Sequence, residues 1–152
     1  MKQKIIIYTD GGSRGNPGVA GAGAVVTDGG GQVLREAQKS LGLVTNNEAE
    51  YQAVILGLET VKKLLGKKKI AAGAVEIEIR LDSELVASQL RGEYQIKEKN
   101  LTPLFIKIWN ARVLTFRHLT FTHIPREQNR RADELANQAM NEAERQPPKA
   151  LF

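Results

Sequence analysis

The sequence contains no cysteine, which excludes a disulfide framework, a thiolate metal site and a cysteine nucleophile. Histidine is almost as scarce, with two in the whole chain, so zinc chemistry is disfavoured. No apolar run approaches the roughly 20 residues of a membrane-spanning helix, and the IIIY of MKQKIIIYTD is too short for a signal-peptide core. No internal repeat is visible. These absences point to a soluble, cytoplasmic protein with no membrane association and no obligate protein partner, working as a monomer. The 152 residues suffice for one domain that buries roughly two-thirds of its unfolded surface. It is expected over residues 1–145, followed by an aperiodic tail at 146–152, QPPKALF, that should fray. What the chain has in surplus is positive charge: 22 Lys and Arg against 17 Asp and Glu give +5, which favours a polyanionic partner.

The patterning alternates between two periods. Lys4 to Thr9 is a β-branched run that reads as a central strand, Ala22 to Thr27 as a second strand, and DGGG at 28–31 as the turn into a third, from about Gln32 to Leu41. Asn46 to Leu65 carries Val54, Leu58, Val61 and Leu65 on one helical stripe. VEIEIRLD at 75–82 alternates as a strand should. SELVASQLRG predicts a short helix stopped by Gly92, Leu101 to Val113 another with Pro103 in its first turn, Phe116 to Ile124 a fifth strand and Arg130 to Arg145 a closing helix. This order predicts an α/β layout around a mixed sheet.

Placed on these elements, four acidic residues converge. Asp10 ends the first strand in TDGGSRGNPG, and Asp82 ends the fourth. If those strands are parallel neighbours, both carboxylates reach one crevice, about 4.8 Å apart at the backbone. Each also has an ordinary reading: Asp-Gly is turn chemistry, and Asp82 before SELV fits an N-cap. In TNNEAEYQAVILGLE, Glu50 shares the stripe of Val54, Gly57, Leu58 and Val61, so it must point inward, whereas Glu48 falls with Gln52, Glu59, Lys62 and Lys63 and points to water. An inward glutamate is costly unless a cation or hydrogen bonds hold it. Asp133 lies in the first turn of the last helix, beside the packing residues Ala132 and Ala136. Together these carboxylates repel one another unless divalent cations neutralise them, and oxygen-only ligation favours Mg²⁺ or Mn²⁺.

The stretches that hold these residues, YTDGGSRGNPGVAGAG, TNNEAEYQAVILGLE, LDSELV and HIPREQNRRADELAN, stand in the order and spacing of the type 1 ribonuclease H family, which the sequence resembles from about Met1 to Glu144. The resemblance implies a three-layer fold, a five-stranded mixed sheet of order 3-2-1-4-5 with helices on both faces. It implies cleavage of the RNA strand of RNA–DNA hybrids with two Mg²⁺ ions held by Asp10, Glu50, Asp82 and Asp133, Mn²⁺ being a substitute, and 5′-phosphate and 3′-hydroxyl products. It also implies that His123 or Arg126 assists proton transfer or product release from a mobile loop.

Substrate contacts follow partly from the residues and partly from the resemblance. Gly11, Gly12 and Ser13 should let a ribose–phosphate backbone come close and offer backbone groups to 2′-hydroxyls. Asn16, Asn46 and Asn47 should reach base edges or sugars of the minor groove, and Thr45 should cap the helix or bond a DNA-strand phosphate. The chain departs from many family members at LRGEYQIKEKNLTP, where a basic, Trp-rich insertion is missing, and no N-terminal hybrid-binding module is expected. Affinity should then rest on Lys97, Lys99, Arg126, Arg130, Arg131 and the lysines after Leu65, and be steeply salt-dependent. Two other readings remain open on sequence grounds: an inactive hybrid-binding module, and a DNA-directed nuclease of integrase or resolvase type.

Overall fold

A computed structural model of the protein describes residues 2–146; the tail, apart from Gln146, lies outside the described residues. The apolar runs form a five-stranded sheet from β1 (Gln3–Gly15), β2 (Gly18–Asp28), β3 (Val33–Val44), β4 (Val75–Leu81) and β5 (Leu119–His123), in the order β3-β2-β1-β4-β5. β1 pairs antiparallel with β2 and parallel with β4, and β4 pairs parallel with β5. The expected mixed sheet and strand order are therefore present. The helices are α1 (Asn46–Leu65), α2 (Lys67–Ala71), α3 (Glu84–Leu90), α4 (Thr102–Leu114) and α5 (Arg130–Arg145), with 3₁₀ turns at Lys99–Leu101 and Arg126–Gln128.

The two faces of the sheet are covered differently. On one, Ile5, Ile7, Val26, Ile77 and Ile79 pack with Val54, Leu58 and Val61 of α1 in the main apolar core, which extends to α3 and α4. On the other, α5 presents Ala132, Ala136 and Ala139 to the sheet and buries a smaller cluster around Val25 and Leu135. The small residues bring α5 very close. A Cβ on Gly23 would lie 2.3 Å from the Ala132 carbonyl oxygen, and one on Gly21 2.5 Å from that of Ala136.

Several boundaries differ from expectation. The glycine-rich stretch after Asp10 is a strand, since β1 continues to Gly15 and stays paired with β2 down to Gly18. Loss of side chains reads as a turn, yet here it lets helices approach the sheet: a Cβ on Gly11 would meet the Ala49 carbonyl of α1 at 2.1 Å. Gly11 is therefore required for packing while its backbone still lines the cleft, whereas at Gly12 an added Cβ would find only Met140 Cε at 3.7 Å. β5 begins at Leu119, because the backbone N–H groups of Thr115 and Phe116 return to the Ala111 carbonyl and bend the chain out of α4. The single turn of α2, placed after Gly66, was not foreseen. Replacing Gly23 with alanine should destabilise the fold by about 3 kcal/mol or more, since backbone must move, whereas Gly12→Ala should stay within about 1 kcal/mol; thermal unfolding of the two variants beside the parent is the measurement.

Candidate active site

Strand register brings the first two carboxylates together. Thr9 is opposite Leu81 in the parallel β1–β4 pair, and Leu81 is opposite His123, so Asp10 and Asp82 emerge side by side at the same sheet edge. Asp82 does not cap α3. Ser83 does, its Oγ accepting from the Val86 N–H at 3.2 Å, and this leaves the Asp82 carboxylate to the cleft rather than to the helix start. Glu50 arrives from the first turns of α1, buried on the apolar stripe that its spacing predicted. Oxygens of Asp10, Glu50 and Asp82 all lie within 4.8 Å of one another. Asp133 is exposed in the first turn of α5 and lines the same cavity, a cleft of about 470 Å³.

Such crowding has an electrostatic consequence. Burial pushes the Asp10 carboxyl up to about 8, helped by the charge of Asp82 and a hydrogen bond with Asp133. Burial likewise raises Glu50 well above the carboxylate range, followed by the charges of Asp10 and Asp82, while the Gly11 backbone N–H acts in the opposite direction. Glu50 Oε2 is buried with no hydrogen-bond partner. A cluster that holds this many acid oxygens, one of them orphaned, needs either protons or a cation, and its all-oxygen donor set suits a hard divalent ion.

The rim residues divide sharply by which atoms are already used. Asn46 Oδ1 accepts from the Ser13 backbone N–H at 2.9 Å, and Asn16 Oδ1 accepts from the Asn46 N–H at 3.1 Å. Because both partners are donors, the bonded atoms must be carbonyl oxygens, and the amino groups of Asn16 and Asn46 remain available. Asn47 is the reverse: its Nδ2 donates to Glu98 at 2.7 Å, which leaves its oxygen. Thr45 is the N-cap of α1, its Oγ1 accepting from the Glu48 N–H at 3.2 Å. Ser13 Oγ donates to the Gly15 carbonyl. Glu48, expected in water, is half-buried and accepts from Asn100 and Thr45.

The other candidate residues are placed unevenly around the cleft. Arg126 lines the cleft, but His123 is an exposed residue at the end of β5 and is not among the lining residues. The segment between them is not a free loop: the Ile124 N–H bonds the Leu81 carbonyl at 2.9 Å and Arg126–Gln128 forms a 3₁₀ turn. Arg131 cannot serve as a free cation, because it holds Glu36 at 2.7 Å and Glu134 at 2.9 Å. The lysines after Leu65 sit at the C-terminal end of α1, about 28 Å along the helix from its cleft end.

Asn129 escaped sequence reasoning. It is buried between the sheet edge and α5, with Nδ2 donating to the Thr9 carbonyl at 2.8 Å and to Asp82 Oδ2 at 3.3 Å. The Asp133 N–H bonds its carbonyl at 3.1 Å. The Asn129 side chain thus ties β1, which carries Asp10, to Asp82, and its backbone carbonyl starts the helix that carries Asp133. Only its place just before the Arg-Arg-Ala-Asp start of α5 hinted at this, and an asparagine there reads as a cap.

Two outcomes test this account. Since the Asp10 carboxyl titrates near 8 in the folded chain against 3.8 ordinarily, the unfolded chain releases that proton first, so stability in chelator should fall as pH rises between those values. Asp10→Asn should lack that loss and melt higher than the parent at pH 8, while added Mg²⁺ should raise the melting temperature of the parent more at pH 8 than at pH 5; calorimetry across pH decides. Asn129→Ala should cost about 1–3 kcal/mol in denaturant unfolding through the orphaned Thr9 carbonyl.

Known proteins resemble this chain in sequence and fold. Residues 8–139 match the reverse transcriptase-like family. The chain is 42% identical over 141 residues to a bifunctional protein of Mycobacterium tuberculosis, covering 92% of this chain and 36% of that protein. It is 38% identical over 141 residues to ribonuclease HI of Halobacterium salinarum, covering 92% of this chain and 66% of the other. It thus spans just over a third of the mycobacterial relative. The fold matches that of LC11-RNase H1, isolated from compost by a metagenomic approach and crystallised in complex with an RNA/DNA hybrid, at a TM-score of 0.86 and 47% identity, over 91% of this chain and 98% of that one. Sequence and structure agree over nearly the whole described chain: it belongs to the type 1 ribonuclease H family.

Proposed function

We propose that the protein hydrolyses the RNA strand of RNA–DNA hybrids with divalent metal ions at the carboxylate cluster. The observation that carries this reading is the convergence of Asp10, Glu50 and Asp82 within 4.8 Å in a cleft that Asp133 and Arg126 also line. The hybrid complex of LC11-RNase H1 supports the same substrate class. A monomer is the proposed working unit, since Asp10, Glu50, Asp82, Asp133 and Arg126 line one cleft of one copy.

Asp10, Glu50 and Asp82 would hold the metal, with Asp133 at the rim completing a second position when substrate phosphate supplies further oxygens. Bound there, Mg²⁺ or Mn²⁺ would polarise the scissile phosphate and lower the pKa of the attacking water. The remaining residues position the duplex. The free amino groups of Asn16 and Asn46 match the acceptors that both A·T and G·C pairs present in the minor groove, so they grip without reading sequence. The free oxygen of Asn47 can accept from a sugar hydroxyl, the group that separates RNA from DNA. Arg126 brings a cation to the phosphates at the cleft, and Lys97 lines the adjoining hollow beside Leu85 and Tyr94, across the Asn47–Glu98 bond.

Incubation in Mg²⁺ with labelled hybrid, duplex RNA, duplex DNA and single strands tests the proposal. Cleavage should be confined to the RNA strand of the hybrid and leave 5′-phosphates, and Asp10→Asn should reduce it by at least about 10³-fold. Cutting of duplex DNA would turn the reading toward a DNA-directed nuclease, and hybrid binding without cutting in either metal would leave only a binding module. Because the cluster must lose protons to take up metal, the rate should climb with pH toward about 8, and raising Mg²⁺ should move that rise to lower pH.

A further inference from the structure

We propose that the end of the molecule opposite the cleft, built from Lys62, Lys63, Lys67, Lys68 and Lys69, is a second nucleic-acid surface that binds a duplex segment other than the one being cut. KKLLGKKK places five lysines in eight residues. All five are exposed, and none pairs with a carboxylate among the described residues. The nearest acid along α1, Glu59, is engaged by Lys107 at 3.7 Å.

Helix chemistry accounts for only part of this charge. Lys62 and Lys63 occupy the last turn of α1, where cations complement the helix dipole. That helix ends at Gly66, whose N–H bonds the Lys62 carbonyl at 2.9 Å. Lys67, Lys68 and Lys69 belong to α2, which is a single turn with no side-chain cap and only Ile70 buried. So short a helix has no distinct end for three adjacent cations to complement, and they repel one another. A polyanion relieves that repulsion and gains from the release of its own counterions.

The patch also continues beyond the lysine run. The loop after α2 is fastened to the start of β1 by the Gln3 N–H on the Ala74 carbonyl at 2.9 Å, and a Cβ on Gly73 would lie 3.5 Å from His118 Nε2. Lys2 and Arg117, both exposed, therefore border the same end, beside a hollow of about 430 Å³. Phosphates spaced along a backbone fit such a dispersed array better than a single small anion does.

This surface cannot hold the far end of the duplex in the cleft. The two sites lie at opposite ends of α1, with about 24 Å of helix between Asn46 at the cleft and Lys62, whereas duplex stiffness persists over about 150 base pairs. The lysines must engage a separate segment or strand. The protein would then stay tethered to nucleic acid while its cleft is empty, which substitutes for the missing basic insertion at residues 90–103.

The inference draws on the cleavage reading only for the partner's chemistry, and the test separates the two. Binding of a 40-base-pair duplex DNA is followed by fluorescence anisotropy in chelator from about 50 to 200 mM salt, for the parent and for the triple variant Lys67→Gln, Lys68→Gln, Lys69→Gln. The variant should bind at least about tenfold more weakly at the low-salt end, with a slope of log K against log salt shallower by about 2–3. Its kcat/KM on a 12-base-pair hybrid should be unchanged, and a saturating excess of that short hybrid should leave binding of the long duplex to the parent largely intact. Equal slopes for the two proteins, or complete displacement by the short hybrid, would overturn the proposal. If neither protein cuts hybrid but the slopes differ, cleavage fails and this surface stands.

Discussion

Mutual repulsion among the acidic side chains at one edge of the sheet is the constraint around which the rest of the structure is arranged. Asp10, Glu50 and Asp82 come from a strand, a helix and a second strand, and nothing local to any of them would bring them within 4.8 Å. The apolar core supplies that force. Ile5, Ile7, Ile77 and Ile79 pack under Val54, Leu58 and Val61, and α1 is fixed over the parallel strands with Glu50 on the same buried stripe. Hydrophobic burial thus does work against electrostatics, and the raised pKa of Asp10 and of Glu50, set first by burial and then by the neighbouring carboxylates, records it.

The polar atoms left without partners are concentrated at this same place. Thr9 Oγ1, Glu50 Oε2 and Asn129 Oδ1 are the buried side-chain atoms with no hydrogen bond among the described residues. Two are acceptors and the third is a hydroxyl, and all belong to residues at or next to the carboxylate cluster. Elsewhere the interior satisfies itself, as where Tyr51 donates to Gln89 at 2.7 Å or Thr27 to the Ile6 carbonyl at 3.1 Å. Incomplete satisfaction at one location marks where the molecule is built to meet something other than itself.

Much of this was legible in the chain, for reasons that can be named. Glu50 was assigned inward and Glu48 outward from helical spacing alone, because that period survives any tertiary context; the structure agrees for Glu50 and moves Glu48 only to a half-buried bond with Asn100. That two apolar strands each end in an aspartate was legible, but their parallel pairing was only a condition until the resemblance implied the strand order that the sheet shows. What could not be read was the meaning of the glycines. A residue without a side chain signals a turn, a close helix or a near ligand equally well; the 2.1 Å from an imagined Gly11 Cβ to the Ala49 carbonyl establishes the second there, beside a cleft that Gly11 also lines. Asn129 was hidden for a related reason, since its partners are a backbone carbonyl and a carboxylate far away in sequence. The lysine run was visible as charge, but its distance from the cleft depends on which end of α1 carries Glu50.

β1 runs unbroken from Gln3 to Gly15, and with side chains alternating across the sheet each of its later positions has one permitted face. Gly11 turns toward α1 and Gly12 toward α5, while the Ser13 N–H orients Asn46. Inserting a single amino acid after Asp10 would exchange these faces at once, driving side chains into one helix and uncoupling the asparagine from the other. Over this stretch length is held as tightly as the glycine at position 11, and insertions should be confined to the hairpin beyond Gly15.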